Sequence, residues 1–591
     1  MLAIYSSLLY NIFEKCFDYD LFCVRKIIWA NFNQNKNHSI ISKGEQSITM
    51  KRLLSIFLAV AMILSLAACT SAPIVDNDTN DGTNPNTPAQ STSSDRWIRI
   101  GRTMANTLTL DVFRTTLAPV FQLSDAIFDR LLDKNPKTME LELNLLQEWP
   151  TISDDGLTYT FKLKEGVKWH DGKELTTKDV EFTFNYFYDK DTASDNTYVN
   201  ESILGCLEME AGESDYLEGM KIIDDYSFEF TLYYPYAPFL ATLATSALPI
   251  LPAHLRAEAG DAWGTSVLPV GSGPYKVTAF EPGVEVVLET NKDYHGTVPN
   301  CDGIIITQME PSTALMEFEA GNIDFCEVPA DIKSTYEEAF PNNFHSQVLA
   351  GTIRFSLNNS MEPLNDVRVR KAIAMSVSKH EIVDGYFGGS VVAINGVIPE
   401  GIAGFDPTIP ETPTDYEAAK ALLAEAGYPN GIEFTATVRE SSTDFAPLLQ
   451  LLQAQLANAG ITMNIEKVDS ATYSEMRNSN RIQANLADWY ADYMDADMYM
   501  YALFHSSFSD GFSIGYHDDW FDEQVEYARS CQDNDERIQM YKDLNRYLSV
   551  EQYVFVPLYQ DQMFYLTSDR IENVFIKADM LYNFQNASVK E

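Results

Sequence analysis

Gly511-Phe512-Ser513-Ile514-Gly515 has the G-x-S-x-G spacing that sets a serine on a strained turn between a strand and a helix. A nucleophilic Ser513 would also need an oxyanion hole, with an acid and then a histidine later in the chain. His517 follows almost at once, no histidine comes after it, and no HGGG-like segment occurs. A loop with two glycines explains the pentapeptide better than a hydrolase does. The eight histidines are dispersed with no i, i+4 pair, and neither HExxH nor GxxxxGK[ST] is present. With 85 Asp plus Glu, no single carboxylate pair is diagnostic of glycoside chemistry. Cys206, Cys301, Cys326 and Cys531 are scattered without a CxxC pair, so buried free thiols are expected rather than a metal site. No cofactor is called for, and the chain reads as a non-enzyme.

One cysteine has a different context. Met50-Lys51-Arg52 precedes an uncharged apolar run, Leu53 to Ala68, which ends in small residues before Cys69. A basic start, an apolar stretch too short for a comfortable membrane span and a small-residue end are the parts of an export signal. Leu66-Ala67-Ala68-Cys69 resembles the lipobox of bacterial lipoproteins, which implies lipidation of Cys69 and membrane anchoring through that lipid. Residues 69–94, rich in Ser, Thr, Asn, Asp, Pro and Gly, read as a flexible tether. Translation is expected to start at Met50, with residues 1–49 an upstream segment outside the protein and 50–68 the signal peptide.

Charge divides at the same place. The 591 residues carry 42 Lys plus Arg and a net charge of −43. Residues 1–68 hold seven basic and four acidic side chains, which leaves −46 on the remaining 523. Such a body repels phosphate backbones and anionic membrane faces, so nucleic acid is excluded as a partner. At 45% hydrophobic and 12% aromatic residues the chain can bury more than one core.

Strands and amphipathic helices alternate along that body, which indicates mixed α/β sheets. Leu157–Leu163 alternates with period two, and Thr176–Tyr188 opens with a Thr/Asp cap and continues as a helix. Asp171-Gly172 marks a turn between them. Ser227–Tyr233 and Val284–Glu289 alternate as strands. Helices are expected at Asn365–Val383, Tyr416–Ala426 and Phe445–Ala459. Strands are expected at Glu433–Val438 and Thr462–Val468.

Between Asp155 and Val180 lies a longer pattern, DGLTYTFKLKEGVKWHDGKELT followed by Asp179-Val180. Four segments follow in order. They are Gly271-Ser272-Gly273-Pro274-Tyr275 with Asn291 and Tyr294, then Asn358-Asn359 with Pro363 to Ala372, then Trp489-Tyr490-Ala491-Asp492-Tyr493, then Val556-Pro557-Leu558-Tyr559. Together they resemble the family 5 extracellular solute-binding proteins, the peptide and nickel binding lipoproteins of ABC importers, over roughly residues 97 to 585. Leu364 departs from the pattern by standing at an aromatic position.

The resemblance implies a two-lobed clamshell of the periplasmic-binding-protein type II class with an extra inserted domain. Domain I would comprise residues 95–125, 220–312 and 560–591, domain II 126–219 and domain III 313–559. It also implies that Asp492 holds the α-ammonium of a bound peptide, with Trp489 walling the pocket and Tyr493 beside it. Arg477 is a candidate for the ligand carboxylate; a solvated charge is its other reading. Trp169-His170-Asp171-Gly172 reads as a structural turn, and Arg368 and Arg370 as residues that orient a helix. Leu486 and Asp488 stand before Trp489 where oligopeptide-binding relatives often carry an arginine and a small residue, which leaves ligand length open. The expected function is a monomeric, lipid-anchored receptor on the outer side of the cell membrane that delivers peptides to ABC permease subunits. Nickel chelates, small sugars and an anchored hydrolase using Ser513 are the alternatives.

Overall fold

In a computed structural model of the chain, residues 96–590 except Ala105 are described. The upstream segment, the export signal, Cys69 and the tether lie outside the described residues. No helix among the described residues is long and apolar enough to cross a membrane.

A mixed sheet of twelve strands runs through the body. In chain order these are β1 (Trp97–Arg102), β2 (Tyr275–Glu281), β3 (Glu285–Thr290), β4 (Gly303–Gln308), β5 (Phe325–Val328), β6 (Phe344–Val348), β7 (Gly351–Leu357), β8 (Val391–Ala393), β9 (Ile432–Arg439), β10 (Ile461–Val468), β11 (Ala484–Tyr490) and β12 (Phe555–Thr567). The main path is β10-β9-β11-β7-β12-β5-β1-β4-β3-β2, with β6 and β8 also paired to β12. β12 is 13 residues long. Its first half bonds β7 and β8, and its second half bonds β5 and β6.

That long strand joins separate cores. Ile98, Ile100, Leu288, Ile304 and Phe325 share one core with the smaller four-stranded sheet. Ile353, Phe355, Phe434, Leu449, Met463 and Leu486 form another around β7, β9, β10 and β11. A third packs Tyr499, Phe504, Phe521 and Leu544 beneath helices of the same half. Residues 313–348 pack their apolar side chains against Phe564 and Leu566, at the far end of β12.

Local sequence explains the elements. Tyr159 and Phe161 are buried while Thr158, Thr160 and Lys162 between them are half-buried, the alternation expected of a sheet with one core-facing side. The helix Thr177–Tyr188 begins with a capping box, in which the Asp179 carboxylate accepts from the Thr176 backbone N–H at 3.0 Å. Helices at Tyr416–Glu425 and Phe445–Ala457 connect β8 to β9 and β9 to β10, and β9 and β10 pair in parallel. The long helix expected over 365–383 instead ends at Met375 and resumes as a π-helical stretch, Glu381–Tyr386. Ser376 donates its hydroxyl back to the Ala372 carbonyl at 2.7 Å, a local alternative to continuing the helix.

The signature turn is a joint. His170 Nδ1 accepts from the Gly271 N–H at 3.1 Å, and its Nε2 donates to the Gly273 carbonyl at 3.0 Å. A side chain at Gly271 would meet the Ile127 carbonyl oxygen at 1.8 Å, which is why the motif needs glycine there. Arg370 donates to the carbonyls of Leu364, Gln552 and Tyr553, and Arg368 to Asp366 and the Glu425 carbonyl, so both anchor the helix Val367–Met375.

Candidate functional site

Residues 492–497, which follow strand β11, hold three aspartates, and the fold treats them differently. Asp495 receives both terminal nitrogens of Arg537, one at 2.7 Å, with both side chains buried. Asp497 sits 3.1 Å from Arg529, whose guanidinium also stacks over Tyr501. Asp492 has no Lys or Arg within 4 Å among the described residues; the Tyr198 hydroxyl lies near its carboxyl. Asp492 is exposed to solvent, while the protein packed around it crowds its carboxyl. That surrounding protein raises its pKa to about 6, and the nearby Tyr198 hydroxyl only partly offsets the rise.

Tyr198 belongs to the short turn Thr197–Val199, whose Val199 is part of the β1 core, whereas Asp492 follows β11. Thr245, also on the Tyr198 side, donates its hydroxyl to the Asp492 carbonyl at 3.2 Å. The two halves therefore meet at Asp492. Tyr493 points elsewhere. Its hydroxyl is 2.8 Å from that of Tyr236 and 3.3 Å from Asp497, so it ties the halves together from inside a buried network.

Trp489 borders a cavity of about 120 Å³ under the loop. Its indole N–H has no partner, and its ring meets Phe512 edge-on at 5.4 Å. Arg477, near the end of the helix Ser470–Asn478, lies over the Phe512 ring at 5.5 Å and also lines the cavity. Two further arginines, Arg354 of β7 and Arg439 at the end of β9, complete a cluster of three guanidinium groups there. Sequence reasoning missed both. The signal was present: in Gly351–Leu357 an arginine interrupts a strand buried along its whole length.

Ser513 is not poised for attack. It adopts a left-handed φ of 53°, and its hydroxyl donates to the Arg477 carbonyl at 2.8 Å. His517 is bonded to Asp510 instead, at 3.1 Å. The G-x-S-x-G loop thus fastens the end of the Arg477 helix. Cys206, Cys301, Cys326 and Cys531 are buried free thiols.

The sequence pattern of the bacterial extracellular solute-binding proteins, family 5 Middle, matches residues 140–511. The chain belongs to that family. This solute-binding protein is 28% identical over 447 residues to the dipeptide-binding protein of Escherichia coli (strain K12), across 70% of this chain and 80% of that protein. Among solved structures, HbpA2 from Haemophilus parasuis matches with a TM-score of 0.75 at 24% identity, covering 84% of this chain and all of that one. The periplasmic binding protein DppA from Helicobacter pylori, in complex with peptide STSA, matches with a TM-score of 0.64 at 25% identity, over 84% of this chain and 98% of that one. The fold is the mixed α/β clamshell of type II periplasmic binding proteins, and the family is one of solute binders rather than enzymes.

Proposed function

We propose that this protein is the lipid-anchored receptor of an ABC importer, that it captures short peptides outside the cell, and that it passes them to the membrane permease. The observation that carries the reading is Asp492, an aspartate between the two halves that lacks the cationic partner given to Asp495 and Asp497. A peptide α-ammonium would supply that charge and satisfy the carboxylate once water is excluded. On the same half of the protein, Arg439 and Arg477 offer guanidinium groups that line the Trp489 cavity, suited to the carboxylate end of the same ligand. One acid set against clustered arginines complements a zwitterion, whereas a neutral sugar answers neither charge. The peptides named for the relatives fit this chemistry.

Ligand closure then has a physical route. The Tyr198 turn and the Asp492 loop stand on opposite cores, and a ligand contacting both favours the closed arrangement. The chain crosses between the cores next to Leu349 and again within β12, where Gln560 donates to the Leu349 carbonyl at 3.0 Å. The expected domain limits and a monomeric state remain part of this proposal.

The direct test is to denature the purified protein and identify the released compound by mass spectrometry; peptides are expected, and a sugar or metal chelate would reject the reading. With a bound peptide in hand, Asp492→Asn is expected to weaken it by about 2 to 5 kcal/mol, the scale for removing one partner of a buried hydrogen-bonded charge pair. Unchanged affinity by calorimetry would remove Asp492 from the site.

A further inference from the structure

Arg354 makes the Trp489 cavity more positive than a peptide's own carboxylate requires. β7 is buried on both faces: Ile353, Phe355 and Leu357 enter the apolar core, and Thr352, Arg354 and Ser356 alternate to the other side. Arg354 is opposite Ala487 on β11 and Pro557 on β12, at a shift in the β12 register. Neither neighbour has a side chain that could accept a hydrogen bond. Only 2% of Arg354 is exposed, and its Nε and Nη1 have no hydrogen-bond partner. Asp488, which pairs with Ile353 and borders the cavity, acts on Arg354 through its charge but makes no hydrogen bond or ion pair with it.

Further donors meet at the same place. Arg439 Nε and Trp489 Nε1, both lining the cavity, are also buried without partners, against one unpartnered acceptor there, Asn485 Oδ1. An arginine cannot shed its proton in a protein, so a buried guanidinium needs acceptors from somewhere. Such a donor-rich space, with room for a few waters or a short side chain, is built for an anion. Arg439 and Arg477 are half-buried at its mouth, while Arg354 is its buried floor.

We propose that Arg354 determines specificity as the floor of a second anion subsite, which takes the side-chain carboxylate of an acidic residue in the bound peptide. The proposal rests on the peptide reading above and names its class: peptides bearing Asp or Glu. Calorimetry on matched pairs, Ala-Glu against Ala-Gln and Glu-Ala against Gln-Ala, tests it on the intact protein. In at least one pair the acidic member is expected to bind about tenfold tighter or better. Arg354→Met is expected to abolish that preference by weakening the acidic member while leaving its amide counterpart in place. Arg354→Lys, which keeps the charge but loses the planar fork, should retain part of the preference.

Equal binding of acid and amide in both pairs by the wild type overturns the proposal, whether or not the variants fold. Persistence of the preference in a folded Arg354→Met overturns it as well. If the wild type binds no dipeptide, the peptide reading fails separately, and glutarate decides the subsite. A tryptophan fluorescence response to glutarate in the wild type that disappears in Arg354→Met supports it, and no response overturns it.

Discussion

Asp492, Asp495 and Asp497 share a loop and a residue type, and their partners separate them. Asp495 and Asp497 hold arginines in buried pairs, so their substitution would be felt as lost stability. Asp492 keeps a carboxylate that burial disfavours in its ionised form, and this gives the site a pH signature. Its pKa of about 6 lies above the ordinary 3.8, so the native state binds the extra proton in that window. The group favours the fold fully below the unfolded value, and that contribution is lost as pH rises through about 6. A ligand ammonium acts in the opposite sense because it requires the ionised form. Peptide affinity is therefore expected to strengthen from pH 5 to pH 7 and then level off, a trend that calorimetry should find flattened in Asp492→Asn. An equal slope in both proteins would assign the titration to another group. Of the proposed site residues, Asp492, Trp489 and Arg477 sit in or near a recognisable motif that a sequence reading can pick out, whereas Tyr198, Arg354 and Arg439 sit in none.

At the scale of elements, chemistry that is local in sequence set local structure. Thr176 and Asp179 are three residues apart, and their capping box begins the helix where the sequence placed it. Thr176→Ala is expected to cost about 1 kcal/mol, read as a lower midpoint in thermal or urea unfolding, with ligand affinity unchanged since the cap lies away from Asp492. The same locality explains the strands 158–162, β9 and β10, whose alternation or apolar run needs no distant partner to be seen. Helix 365–383 was misread for a related reason. Its apolar spacing continues past Met375, but the Ser376 hydroxyl competes for a backbone carbonyl, and a count of apolar positions does not register that. Nor does sequence reveal that one strand, β12, serves two cores, because its pairing partners lie more than 150 residues before it.

For the molecule as a whole, the charge of −46 on the body fits a solvated receptor held away from an anionic surface, with affinity residing in a few enclosed groups. On the proposed lipid anchor, Cys69→Ser is expected to move the protein from the membrane fraction to the soluble fraction. Retention in the membrane fraction would count against Cys69 as the anchor; because a single acyl chain binds only marginally, a stable anchor needs more than one. The sequence by itself determined the family and the alternation of strands and helices, since each is written in residues close together along the chain. Tertiary structure alone decided which aspartate is left without a cation and which arginine is left without an acceptor. Arg537 reaches Asp495 across 42 residues and Tyr236 takes the Tyr493 hydroxyl across 257. Ala487 and Pro557, brought beside Arg354 by the sheet, give it nothing to bond. A missing partner is a property of three-dimensional neighbourhood, and it becomes visible only when distant strands are in register.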